Sequence, residues 1–223
     1  VNAILGRYMP QLADRLRVVA PALAPARLQA TLKLDDDKAG NMAALDVSGT
    51  AGGMRVSLNG GGVADLAALN LSSFRMLGQI DANDASTLAN LTGVDRVVAI
   101  AKQPGMLRLT MSGNPFGDVA LTSTLSTGSL MASANGTVRL SAGNWPTGNV
   151  SLNVARADFS PLQPDGGKLP VAFTGRVISD GKQATFDDIS AVIAGSKVRG
   201  KLTASLAMPS RIDGAFDVDT LDV

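Results

Sequence analysis

Ser179-Asp180-Gly181-Lys182 places a serine three residues before a lysine, the string that some acyl-transferring enzymes use for nucleophile and base. Those enzymes carry the pair on a helix, where both side chains share a face. Here Asp180-Gly181 stands between two alternating runs and reads as a hairpin turn, which parts the pair. Asp35-Asp36-Asp37 offers oxygen ligands to a hard cation, but it lacks the spaced ligands and glycine of a calcium loop and reads as a solvated turn. Asp187-Asp188 is a second carboxylate pair; neighbours in a strand face opposite sides, so the two do not form an acid–base couple. Gly60-Gly61-Gly62 and Gly166-Gly167-Lys168 lack phosphate-loop spacing and a following Lys-Ser or Lys-Thr, and both read as loops. Trp145, beside Pro146, reads as a lid over a core edge. Histidine and cysteine are absent, which removes the commonest bases, thiolates and metal ligands. The expectation is no catalytic residue, no metal and no cofactor.

Composition narrows the partners. The 223 residues are 45% hydrophobic and only 4% aromatic, with 20 basic and 19 acidic side chains for a net charge of +1. That hydrophobic share belongs to a folded protein rather than a disordered one. Scattered charge and few aromatics give no electrostatic or stacking basis for binding nucleic acid. No apolar run approaches the roughly 20 residues that cross a bilayer, and the chain starts at Val1 in mid-pattern, as an excised fragment would.

The elements that would position any site are mostly strands. Met9, Leu12, Ala13, Leu16 and Ala20 follow helical spacing, and Pro21 and Pro25 end that helix. Leu28, Ala30, Leu32 and Leu34 then alternate with polar residues, and strands follow near 42–49, 52–60 and 72–83. Asp84 is the expected N-cap of a second helix whose apolar positions are Leu88, Leu91, Val94, Val97, Val98 and Ala101; Gly93 weakens or divides it. From Gly105 onward the pattern is strand almost throughout, with turns at Asn114-Pro115, Asp180-Gly181 and Gly195-Ser196. The predicted fold class is mainly β: a large antiparallel meandering sheet, curved and groove- or sandwich-like, with two short covering α-helices. Residues 1–104 hold the first helix, the first meander and the Asp-capped helix; 105–223 hold a second meander, continuous with the first in one domain. A weak repeat runs through Asp84, Asp158 and Asp219, each closing a strand, and the first two lead into Ser86-x-Leu88 and Ser160-x-Leu162.

Alternation also predicts which side chains share a face. Val198, Leu202 and Leu206, with Gly200 and Ala204 between them, lie on one side of a strand, and Arg199, Lys201, Thr203 and Ser205 lie on the other. The same rule assigns Leu107, Leu109, Val119, Leu121, Val150, Leu152, Ile212 and Phe216 to a candidate apolar groove face. One reading closes that face against the helices or a second sheet. The other leaves part of it open to acyl chains, because two helices are scant cover for about a dozen strands.

The segment from Gly175-Arg176-Val177 through Phe186-Asp187-Asp188-Ile189, Ala194-Gly195-Ser196-Lys197-Val198-Arg199-Gly200-Lys201-Leu202 and Phe216-Asp217-Val218-Asp219-Thr220-Leu221-Asp222 resembles the C-terminal region of the AsmA family. Members repeat a strand ending at a Gly-Ser turn, a strand reading G-x-L and a closing strand ending in x-L-D. Asp84 to Gly93, followed by Pro104-Gly105-Met106-Leu107-Arg108-Leu109, is similar to the family's helix-then-strand junction. The resemblance implies a non-enzymatic periplasmic protein of Gram-negative bacteria, anchored to the inner membrane by a segment outside this chain. TamB-like members look like repeating β-grooves that serve outer-membrane biogenesis and phospholipid transport. The implied partners are a phospholipid or other acyl lipid and envelope proteins. The alternative is a β-rich assembly scaffold with a closed core that binds proteins or glycans.

Overall fold

The computed structural model describes residues 23–37, 40–65, 70–92, 94–139, 145–163, 167–205 and 211–219. The helix expected across 9–20 lies outside them. Twelve strands form one antiparallel sheet in which spatial order is chain order. They are β1 (Ala26–Asp37), β2 (Gly40–Ala51), β3 (Met54–Asp65), β4 (Asn70–Ala82), β5 (Gly105–Gly113) and β6 (Asp118–Ser126), then β7 (Met131–Arg139), β8 (Thr147–Asp158), β9 (Pro170–Asp180), β10 (Gln183–Ile193), β11 (Ser196–Ser205) and β12 (Ile212–Val218). β4 pairs with β5 from Phe74↔Gly113 to Ala82↔Gly105, so the sheet crosses the 104/105 boundary unbroken. Among the described residues the sheet stays open, with β1 and β12 as its two edges.

Consecutive strands pair because each two-residue alternation is followed by a turn of matching chemistry. Asn114 accepts the Phe116 amide on its Oδ1 at 2.8 Å, and Asp180 accepts the amides of Lys182 and Gln183 at 2.8 and 2.7 Å. Gly181, at φ +87°, supplies the left-handed turn that parts Ser179 from Lys182. Thr127 closes the β6–β7 turn by accepting the Leu130 amide on its hydroxyl at 2.9 Å.

Among the described residues the chain makes excursions from the sheet after β4 and after β8, both along one rim. The first holds helix α1 (Ala85–Thr92) and a short 3₁₀ turn at Val94–Arg96. Asp84 caps α1, accepting the Ser86 amide at 2.9 Å and the Ser86 hydroxyl at 2.6 Å. The expected helix through Ala101 is therefore too long. Beyond Val98 the backbone turns to the rim, where the Ala99 amide donates to the Asp158 carbonyl at 2.7 Å and the Ala99 carbonyl accepts the Ser129 hydroxyl. This excursion straps the rim from β4 to β8. Leu88 is the buried centre of a small core formed by Met54, Ala82, Val98, Leu125, Leu130 and Ala157. The helix sits close because β5 begins with glycine: a Cβ on Gly105 would stand 2.8 Å from the Ala85 Cβ.

Asp84, Asp158 and Asp219 stand at that same rim, at the ends of β4, β8 and β12. The repeat is thus a unit of four strands closed by an aspartate. Asp158 accepts the Ser160 and Leu169 amides, both at 3.0 Å, and Asp219 accepts the Lys197 amide at 2.8 Å. Hydrogen bonds from the Ser86 hydroxyl and amide hold the Asp84 carboxyl below its ordinary pKa; the Leu169 and Ser160 amides do the same for Asp158. The folded state binds these protons more weakly than the unfolded chain, where aspartate titrates near about 3.9. Their contribution is complete above that value and is lost as pH falls through the folded-state values. The melting temperature is expected to stay level down to about pH 5 and to drop below about pH 4. An Asp84→Asn, Asp158→Asn double variant should show a shallower drop in a calorimetric pH series; a drop of equal depth would assign the acid lability to other groups.

Several expectations change at this level. Gly60-Gly61-Gly62 is no loop: it lies within β3, opposite Leu45, Ala44 and Ala43 on one side and Met76, Arg75 and Phe74 on the other. Missing side chains on β3 leave room for the large neighbours across the ladder. Asp35-Asp36-Asp37 belongs to β1 rather than to a turn. Gly195 does turn the chain, but its partner is Ala194, at φ +49°, rather than Ser196. Val97 and Trp145 are exposed, so neither lids a core.

Candidate functional site: a one-sided apolar trough

Cross-strand partners in an antiparallel ladder project to the same face, so the register assigns every paired residue to a side. One row crosses all twelve strands: Leu32, Leu45, Gly60, Met76, Met111 and Leu121 continue through Gly136, Val150, Val177, Phe186, Leu202 and Gly214. Another runs from Leu28 through Ile80, Leu107, Leu125, Val154 and Val198 to Val218, with only Gly, Ala, Val or Phe between. These two rows hold no charged residue, and Ser123, Ser179 and Ser196 are polar members of the face; at the far end of β1 the register continues the face to Asp36 opposite Asn41.

The structure brings the sequence-predicted residues together. Leu121, Val150 and Leu202 lie in the first row and Leu107 and Val198 in the second. Leu109, Leu152 and Phe216 occupy the row between them. Val119 and Ile212 lie in the row at the opposite rim from α1. Leu206 lies outside the described residues. Sequence reading missed β1 to β4 as part of the face: Leu28, Leu32, Leu45, Val56, Leu58, Met76 and Ile80 share it. Their alternation was visible, but only the register shows that eight further strands continue it in phase.

Among the described residues the cover lies at one end of this face, although Val119 at the other rim is itself buried, at 1% exposure. α1 and its strap pack on the rim residues Ala82, Leu107, Leu125 and Ala157, while among the described residues no second sheet and no other α-helix lies across the strands. The flanks are open, with Leu32 at 63% and Ile212 at 68% exposure. Between them most of the side chains are half-buried. A Cβ on Gly136 would collide with the Asn149 carbonyl oxygen, so β7 and β8 approach closely there and the position takes glycine. With strands about 4.8 Å apart, twelve of them make a trough on the order of 50 Å long.

The opposite face is polar and carries charges of both signs, some of them paired. Arg139 binds Asp118 at 2.8 Å, and Arg176 binds Asp188. A bulge at Asp187-Asp188, with Asp188 at φ +52°, corrects the expectation that these carboxylates face apart. Both turn to the polar face, Asp188 to Arg176 and Asp187 to Lys201 at 3.7 Å. Ser133, Asn135, Ser151 and Asn153 line a shallow hollow beside Arg176. Among the described residues no three acidic, His or Cys side chains gather as a metal site, and no helix is long and apolar enough to cross a membrane.

Fold and face together define an open, single-layer β-trough, apolar on one side and polar on the other. No protein-family model, characterised protein or solved structure matches the chain.

Proposed function

We propose that the trough holds the hydrocarbon chains of phospholipids, and that this is a non-enzymatic module of an AsmA-like periplasmic protein, anchored at the inner membrane and serving outer-membrane biogenesis. The observation that carries the reading is the set of uncharged apolar rows running unbroken over twelve strands, with an α-helix over one rim only among the described residues. A soluble protein rarely leaves such a surface to water. Burying one methylene contributes about 0.8 kcal/mol, so eight contribute roughly 6 kcal/mol with no polar anchor at all. Binding of that kind leaves no motif of catalytic or charged residues, in keeping with rows that hold no charged side chain. The periplasm and the envelope role rest on the AsmA resemblance.

The test is to purify the chain without detergent, extract it with organic solvent and identify lipids by mass spectrometry. Stoichiometric phospholipid is the expected result, together with uptake of a fluorescent phospholipid from phosphatidylethanolamine–phosphatidylglycerol vesicles. A lipid-free chain that takes up nothing from such vesicles overturns the reading and leaves the scaffold, acting through the polar face, as its replacement.

A further inference from the structure

We propose that the two edges of the sheet are made for each other, so that copies of this chain join head to tail, β12 of one to β1 of the next. The backbone directions allow it. The Pro25 carbonyl accepts from Gly52, so odd positions of β1 face β2 and even positions point outward. The Arg211 carbonyl accepts from Ser205 and the Asp219 amide donates to Lys197, so the even positions of β12 point outward as well. β1 and β12 run in opposite directions in the meander, and their free groups form an antiparallel ladder when Ile212, Gly214, Phe216 and Val218 stand opposite Leu34, Leu32, Ala30 and Leu28. In that register each apolar row of one copy ends where the same row of the next begins. Large residues meet small ones, Leu32 over Gly214 and Phe216 over Ala30, as Leu202 already meets Gly214 within the sheet.

The polar face fixes this register. It sets Arg211 opposite Asp35, Asp213 opposite Lys33 and Asp219 opposite Arg27, all exposed. A slip of two residues one way sets Asp213 against Asp35, and the other way sets Arg211 against Lys33. A slip of one residue turns the apolar rows outward. Opposite charges directly across a ladder stabilise it and like charges oppose it. Closing the same edges within one copy would need a stagger between strands that this register does not supply. A heterologous contact between copies has no such requirement and builds an open chain. The apolar trough then runs on from copy to copy. The inference does not depend on what fills it.

Sedimentation velocity over a concentration series tests it. Species beyond the dimer are expected to grow with concentration at low salt and to shrink at high salt. An Asp213→Lys, Asp219→Lys variant and an Arg27→Asp, Lys33→Asp variant, all at exposed positions, should each associate at least about tenfold more weakly. Mixing the two variants restores both junctions and should restore assembly. A wild-type monomer at every concentration, variants that assemble like the wild type, or a mixture that stays apart would each overturn the proposal.

Discussion

Replacing Leu88 with alanine is expected to lower the unfolding free energy by about 2–5 kcal/mol, read as a shift of the urea midpoint at constant slope. Leu88 is fully buried, at 0% exposure, and it joins α1 to strands from both ends of its strap, Met54 and Ala82 on one side, Leu125 and Ala157 on the other. A single-layer sheet offers few such places. Apart from Val119, Val171 and Ala191, most other apolar side chains of the face are only half covered, so the small core under α1 supplies a large share of the non-local burial. Leu162 provides the internal control. It follows Asp158 and Ser160 with the spacing that Leu88 has from Asp84 and Ser86, but it is 58% exposed. Leu162→Ala should change stability by no more than about 0.5 kcal/mol. Equal losses at the two positions would mean that the core is not where the structure places it.

That contrast marks how far the sequence could be read. Most strands were legible to within a few residues, because period-two alternation and Asn-Pro or Asp-Gly turns are local signals. β9 and β10 run from Pro170 to Asp180 and from Gln183 to Ile193, on either side of the expected Asp180-Gly181 turn. The four-strand repeat was legible only as three aspartates, since an Asx turn leaves one short polar signature per unit. What failed was decided across strands. Gly60-Gly61-Gly62 looks like a loop in isolation and becomes a strand because Leu45, Met76 and Phe74 fill the space above it. The α1 pattern continues apolar to Ala101, yet the Ala99 amide finds the Asp158 carbonyl, a partner 59 residues away that no periodicity reveals. The bulge that puts Asp187 and Asp188 on one side is invisible to a strict alternation rule, and its cause, the Arg176 partner, sits on another strand.

The site was legible in kind and undercounted in extent. Leu107, Val150 and Leu202 were assigned to one face from their own strands. Whether such faces coincide is a question of register, and register is set by turn lengths and bulges distributed over the whole chain. Bulges shift the pairing between Val63 and Ala64, between Met131 and Ala132 and between Val154 and Ala157. The apolar rows nonetheless run through without a break, so each irregularity is accommodated without turning a strand over. A charge anywhere along those rows would be the first in them.

Val150→Asp therefore has the largest expected effect on binding. Val150 lies in mid-row between Gly136 and Val177, away from the core under α1. An aspartate there puts an unpaired carboxylate where an acyl chain is to lie, and desolvating it costs several kcal/mol. Uptake of fluorescent phospholipid from vesicles should fall by about a hundredfold or more, the equivalent of roughly 2.7 kcal/mol or greater. The next residue supplies the control. Ser151 points to the polar face, paired with Asn135 and with Arg176, so Ser151→Asp adds the same charge to the same strand one pleat over. Its uptake should stay within about twofold of the wild type, the scale of an ordinary surface substitution. Both variants should keep the β-sheet circular dichroism of the parent. If Val150→Asp folds and still loads lipid as Ser151→Asp does, hydrocarbon does not lie along this face.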